Sequence, residues 1–320
     1  MTSPPRVICL GETMIMFGPP RHELMEHSET FRALIGGAEA NVAVGLERLG
    51  LHAGWIGKLP RNALGRWVVN GTRRYGVDTS GVVWSDSGRV GTFFVEFGAK
   101  PRPTKTIYDR ADSAATTLEA EELDWDYIAQ AEWLHMTGIT PALSETCRRS
   151  TVEIARRASE AGCKISFDLN YRSKLWTPED ARTSWKEVLA YVDLIITTEA
   201  DAAILLGEEP ERETALRRIF ELTTPYAAVM TCGGAGSMAF DGDAVISLPS
   251  WPLELVNRLG AGDAFAAGLL YGLMEADLKT GLAYGNAMSA LKFTVPQNLP
   301  LIDREDVERL LSGSDLRLVR

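Results

Sequence analysis

The sequence predicts an α/β protein: a Rossmann-like, mostly parallel central sheet flanked by helices, with a small β-sheet lid. Three observations carry this reading. Short apolar, β-rich runs alternate with helical patterns of roughly 10–17 residues. Two stretches, at about 12–35 and 90–110, break that alternation. The length, 320 residues, suits one large domain with an appendage.

The elements follow in order. Arg6-Val7-Ile8-Cys9-Leu10 reads as a first buried strand ending at Gly11. Residues 12–35 hold no clear helix. Residues 41–49 are helical and stop at Gly50, a usual C-terminal breaker. Residues 53–57 form a short strand. Residues 91–97 and then 105–108 read as a β-hairpin, which can pair with 12–35 as a separate sheet over the open edge of the domain. Residues 133–136 are a strand, 145–161 a helix closed by Gly162, and 164–168 the next strand. A Thr-Pro cap starts a helix over 178–191, strands follow at 194–196 and 227–230, and a long apolar helix follows Gly262. No repeat or linker divides the chain, so 1–320 is read as one domain.

Composition removes several functions. With 43 acidic and 33 basic side chains the net charge is −10, which argues against a nucleic-acid face. Cys9, Cys147, Cys163 and Cys232 form no CxxC pair and read as reduced, buried thiols rather than a metal site. No signal pattern and no run of about 20 apolar residues is present, so a cytoplasmic protein with no membrane partner is expected. His135 on its strand reads as a buried, hydrogen-bonded histidine. Met14 and Met16 read as packing, and Trp251 and Pro252 as loop.

Open α/β sheets bind ligands beyond the C-terminal ends of their strands. That selects Gly11-Glu12, residues 168–170, 197–201 and 231–236. The turn Gly260-Ala261-Gly262-Asp263 joins them because it opens a helix. First-turn N–H groups lack internal partners and carry partial positive charge, so they stabilise an anion, and small residues let a phosphate approach. Asp263 beside such a turn can take a proton from an acceptor hydroxyl, which makes a minimal kinase site. Its plainer reading is an acid that complements the helix dipole.

Gly260-Ala261-Gly262-Asp263 resembles the second signature of the ribokinase-like, or PfkB, sugar kinases. Gly36-Gly37-Ala38-Glu39-Ala40-Asn41-Val42-Ala43 is similar to the first. The resemblance runs over nearly the whole chain, in order. It implies a ribokinase-like fold, Asp263 as catalytic base, and Gly260, Ala261 and Gly262 as the anion hole. Residues 134–144, 167–172, 174–176 and 107–111 resemble 2-keto-3-deoxygluconate kinases within that family. By resemblance, Tyr108, Arg110 and Arg172 contact the carboxylate and keto groups of a sugar acid, while Gly36, Gly37 and Asn41 face its hydroxyls. An arginine fork suits a carboxylate. Thr198, Thr231, Gly233, Gly236 and Asn286 are implied at the nucleotide, and Asp201 at a Mg²⁺. Asn286 reads equally as a helix-surface amide. ATP and Mg²⁺ are the implied cofactors, with K⁺ left open.

Three positions depart from the family pattern. Asn257 stands where relatives carry Asp, Thr198-x-x-Asp201 replaces Asn-x-x-Glu, and Gln297-Asn298 replaces Gly-Asp. The expected reaction is ATP-dependent phosphorylation of the terminal hydroxyl of 2-keto-3-deoxygluconate, giving the 6-phosphate. The alternatives are 5-keto-2-deoxygluconate, fructose or another sugar, and, from a different class, a non-catalytic sugar- or nucleotide-binding protein. A dinucleotide dehydrogenase is disfavoured because Cys9-Leu10-Gly11-Glu12-Thr13 is no GxGxxG. Exposed lid edges suggest a homodimer.

Overall fold

The computed structural model describes residues 3–20, 23–99, 101–223 and 225–313. Residues 21, 22 and 100 of the two expected insertions, and both extremes of the expected 1–320 domain, lie outside the described residues. β1 (Val7–Leu10) is apolar throughout and fully buried, as a strand covered on both faces must be. The chain then leaves the main sheet for β2 (Met14–Gly18) and β3 (Arg32–Gly36). α1 (Ala38–Leu49) follows and ends where Gly50 adopts a φ of 90°. β4 (Ala53–Ile56) returns beside β1.

Three neighbouring elements are among those not read in the sequence. β5 (Lys58–Pro60) pairs in parallel with β6 (Val83–Ser85), and between them runs α2 (Ala63–Arg73), capped by the Asn62 side chain. Three-residue strands carry too little periodicity to be seen. β7 (Thr92–Glu96) and β8 (Lys105–Asp109) form the expected hairpin.

The second half restores the alternation. It comprises α3 (Trp125–Ile128), β9 (Trp133–Thr137), α4 (Ile139–Ala142), α5 (Glu145–Glu160), β10 (Lys164–Asp168), α6 (Pro178–Leu189) and β11 (Leu194–Thr198). The Ser144 and Thr177 side chains cap α5 and α6. Then come α7 (Glu199–Leu206), α8 (Arg212–Thr223), β12 (Ala227–Thr231), β13 (Ser237–Phe240) and β14 (Val245–Leu248). α9 (Ala261–Glu275), α10 (Leu278–Phe293) and α11 (Arg304–Leu311) close the chain.

The main sheet has the order β14-β13-β12-β11-β10-β9-β1-β4. It is parallel from β12 to β4, and the last two strands run antiparallel because the chain reverses after β12. Alternate side chains feed two cores. Val7 and Cys9 pack with Val44, Leu269 and Leu282, while Ile8 and Leu10 pack with Ile154 and Trp185. Burying one such aliphatic side chain contributes about 1.5–3 kcal/mol. The four-stranded second sheet, β3-β2-β7-β8, joins the two stretches that broke the alternation. Met14 and Met16 pack there as expected, with Phe93 and Val95.

His135 is buried, bonds Ser166 Oγ through Nδ1 at 3.1 Å, and burial drops its pKa to about 3. All four cysteines are buried free thiols. No helix among the described residues is long and apolar enough to cross a membrane.

Candidate active site

The strand ends β1, β9, β10, β11 and β12 point at one rim of the main sheet, and α9 begins there. Gly260 opens α9 with a φ of 81°, and a Cβ built on it would lie 1.9 Å from Asn298 O. No other residue fits both the conformation and the space. A Cβ at Gly262, by contrast, would meet nothing within 4 Å, and Gly262 is exposed. The turn therefore has one packed side and one open side. The Ala261 N–H turns back to Arg258 O at 3.3 Å, whereas Gly262 and Asp263 find no main-chain acceptor among the described residues. The Gly262 and Asp263 N–H groups are thus the ones left without a main-chain partner, while that of Ala261 is loosely engaged.

Asp263, half-buried in the first turn, accepts a 2.6 Å hydrogen bond at Oδ2 from Asn41 Nδ2. The two sequence signatures meet in that bond. Burial pushes the Asp263 carboxyl up to about 6, opposed by the Asn41 bond and the charges of Arg172 and Lys292. Asn41 is held by the first turn of α1. The two glycines before that helix are forced by crowding: a Cβ on Gly37 would lie 2.4 Å from Glu12 O, and one on Gly36 2.7 Å from the Phe93 ring.

Arg172 lies exposed after β10, where Asn170 takes a φ of 41°. Its charge holds down the carboxyls of Asp168, Asp201 and Asp263 against the upward push of burial. Arg110 behaves differently. It is buried, and its Nε donates to Glu12 Oε2 at 2.8 Å, with Nη2 on the same oxygen. Ser113 Oγ holds the other Glu12 oxygen at 2.8 Å. A buried guanidinium needs such a counter-ion, and the Glu12 pair engages two of the Arg110 nitrogens. Tyr108 stacks on Phe93 with ring centroids 5.5 Å apart, beneath Lys174 Nζ at 5.5 Å. Lys174 also donates to Thr106 O at 2.6 Å, tying the loop after β10 to the small sheet.

On the other flank, Thr198 and Thr231 are partners in the β11–β12 register. Thr198 caps α7 by accepting from Asp201 N at 3.1 Å. Gly233 and Gly236 have φ of 56° and 100°, and no atom would meet a Cβ on Gly233 within 4 Å, so that turn is open to a ligand. Asn286 is no surface amide. It is buried, and its Nδ2 donates to Leu248 O and Pro249 O at 3.2 and 3.3 Å, which fixes the chain leaving β14.

Residues that the sequence reading quoted without assigning them a role complete the rim. Asp168, at the end of β10, is buried near Asp201 and Asp263, and burial with those charges raises it to about 8. Burial raises Asp201 too. Glu39 sits against Gly11 with Thr137 Oγ1 donating to it at 2.7 Å, one oxygen lacking a partner, and burial holds it at about 7. Asn298 Nδ2 donates to Ile35 O at 2.9 Å, beside Gly36. Among the described residues no cluster of three or more His, Cys, Asp or Glu could hold a metal ion alone. Two buried acids with raised pKa values still fit Mg²⁺, which takes one or two carboxylates and completes its shell with phosphate and water.

Comparison with known proteins agrees with this geometry. The sequence profile of the pfkB family carbohydrate kinases matches residues 4–299. A 2-dehydro-3-deoxygalactonokinase of Haloferax volcanii is 41% identical over 318 residues, covering 98% of this chain and 99% of that one. A 2-dehydro-3-deoxygluconokinase of Bacillus subtilis is 31% identical, covering 96% and 95%. The crystal structure of a 2-dehydro-3-deoxygluconokinase from Thermotoga maritima superposes with a TM-score of 0.91 at 33% identity, covering 97% of this chain and all of that one.

Proposed function

This chain belongs to the pfkB family of carbohydrate kinases, and from that premise we propose that it transfers the γ-phosphoryl group of ATP to the terminal hydroxyl of a 2-keto-3-deoxy sugar acid. 2-Keto-3-deoxygluconate, giving the 6-phosphate, is the substrate expected from its sequence. The relative from Haloferax volcanii supports a second reading, the galactonate epimer, since it is 41% identical against 31% for the Bacillus subtilis gluconate kinase.

The observation that carries the reaction is the Asn41–Asp263 bond at the open side of the glycine turn. Asp263 takes the proton of the sugar hydroxyl as its oxygen attacks the γ-phosphorus. The bond from that phosphorus to the bridging oxygen breaks, ADP leaves, and the proton remains on Asp263. The Gly262 and Asp263 N–H groups meet the charge that develops on the transferring group. Among the described residues Arg172 is a cation placed to take the substrate carboxylate; Arg110, paired with Glu12, anchors the wall on which Tyr108 stands and reaches the substrate from there. Gly36, Asn41 and Asn298 line the hydroxyl side. Thr198, Thr231, Gly233 and Gly236 border the nucleotide, and Asn286 supports the segment after β14. Mg²⁺ would be held by Asp201, with Asp168 beside it, and would neutralise β- and γ-phosphate charge. The small sheet serves as a lid that excludes water from the transfer, and its exposed Ile107 on β8 suits pairing between two copies. A cytoplasmic location fits a kinase drawing on ATP.

A substrate panel tests this. ADP release is followed with both 2-keto-3-deoxy epimers, 5-keto-2-deoxygluconate and fructose, at fixed ATP and Mg²⁺. One or both of the epimers should exceed the others in kcat/KM by about tenfold or more. Brisk fructose turnover beside negligible turnover of both acids would reject the substrate class. Ligand binding with no phosphoryl transfer to any sugar would favour the non-catalytic alternative.

A further inference from the structure

A buried lysine is costly, and Lys292 is placed where its charge has a use. It lies in the last turn of α10 and is fully buried. Its ammonium has one long hydrogen bond, to Val295 O at 3.5 Å. Three donors with one weak acceptor leave most of the desolvation penalty to be offset by charge. The stem packs under the phosphoryl-transfer turn: a Cβ on Gly260 would lie 3.5 Å from Lys292 Cε. Asn257 grips the same loop, donating from Nδ2 to Pro296 O at 2.8 Å and accepting from Leu259 N at 3.0 Å. Around this loop residue 257 brings a neutral amide and residue 292 an ammonium.

The electrostatics agree. Burial draws Lys292 down to about 8, and the Asp263 carboxylate is the influence that opposes it. The other groups acting on Asp263 and its neighbours are Asn41 and Glu39 from α1, Arg110 after β8, Asp168 at the end of β10, Asp201 on α7, and Arg172 after β10. Acids dominate that set, so a fixed cation behind the turn offsets charge that the approaching phosphates would otherwise meet.

We propose that Lys292 is a positioning residue of the transfer turn, a built-in counter-cation for Asp263 that makes turnover independent of any bound monovalent cation. The inference rests on Asp263 acting as the base.

The first measurement needs no variant. Wild-type rates in KCl and in tetramethylammonium chloride at equal ionic strength should agree within about twofold; a strong K⁺ requirement overturns the proposal. Second, Lys292→Met should lower kcat/KM by about 10–100-fold and move the acid limb of its pH profile upward by about one unit. Third, Lys292→Ala should regain rate with methylammonium and not with tetramethylammonium. A folded Lys292→Met with an unmoved acid limb also overturns it, and if neither variant folds, the wild-type comparison decides. Asp263→Asn separates the two readings. Near-normal activity there removes the base itself, whereas an inactive Asp263→Asn beside an indifferent Lys292→Met removes only the role of Lys292.

Discussion

The two ends of the main sheet treat charge in opposite ways. Before β1 and β9, Arg6 meets Glu132 and Glu275 at 2.5 and 2.7 Å, all three well exposed to water. At the other end, Asp168, Asp201, Asp263, Glu39 and Lys292 are desolvated, and the pKa of each is pushed toward neutrality. Paired surface ions cost little and contribute little. Desolvated, incompletely paired ions cost stability, and clusters of them are characteristic of functional sites. Burial and pairing together, more than the number of charges, mark the working end.

That contrast can be broken by substitution. The largest effect should come from Asp263→Asn, which keeps the shape and removes the base: kcat should fall about 10²–10⁴-fold while sugar and ATP still bind, as calorimetry would report. Retained activity would move the chemistry away from this corner. Asn41→Ala comes next. Losing its hydrogen bond removes the first influence holding the Asp263 carboxyl down from its raised value of about 6, so the acid limb of kcat/KM should shift upward by about one unit. An unchanged profile would detach the two signatures from each other.

Asp168→Asn probes the stability cost. The folded pKa of Asp168, about 8, lies above its ordinary value of 3.8. A raised acid favours the fold at low pH and loses that contribution as pH climbs from about 4 to about 8. Without nucleotide or Mg²⁺, the variant should melt roughly 2–6 °C higher at pH 8, with little change at pH 4. A lower Tm at pH 8 would mean that Asp168 is structurally satisfied. The smallest effect belongs to the opposite end: Arg6→Ala should cost about 0–1 kcal/mol by urea melting and leave the pH profile alone.

How much of this could be read from the chain depends on how local each cause is. The strands showed because burial on both faces demands unbroken apolar runs such as Val7-Ile8-Cys9-Leu10. The glycine turn at 260–262 showed because contiguous small residues ahead of an apolar run signal a helix start, and α9 begins there. Lys292 did not show: one lysine at helical spacing reads as a solvated face, and only Gly260 and Val295, folded against it, make it internal. The pairing of Arg110 was hidden for a similar reason, since the Glu12 that bonds it stands 98 residues earlier. Asn286 was open to two readings until β14 supplied carbonyls for its amide.

The 2.6 Å contact between Asn41 and Asp263 joins positions 222 apart in the chain. A ribosome therefore adds 222 residues after Asn41 before the acid that bonds it exists, and a fragment ending ahead of Asp263 carries the first signature without its counterpart. Such a fragment should show no sugar-dependent ATP turnover, which would leave incomplete synthesis chemically silent.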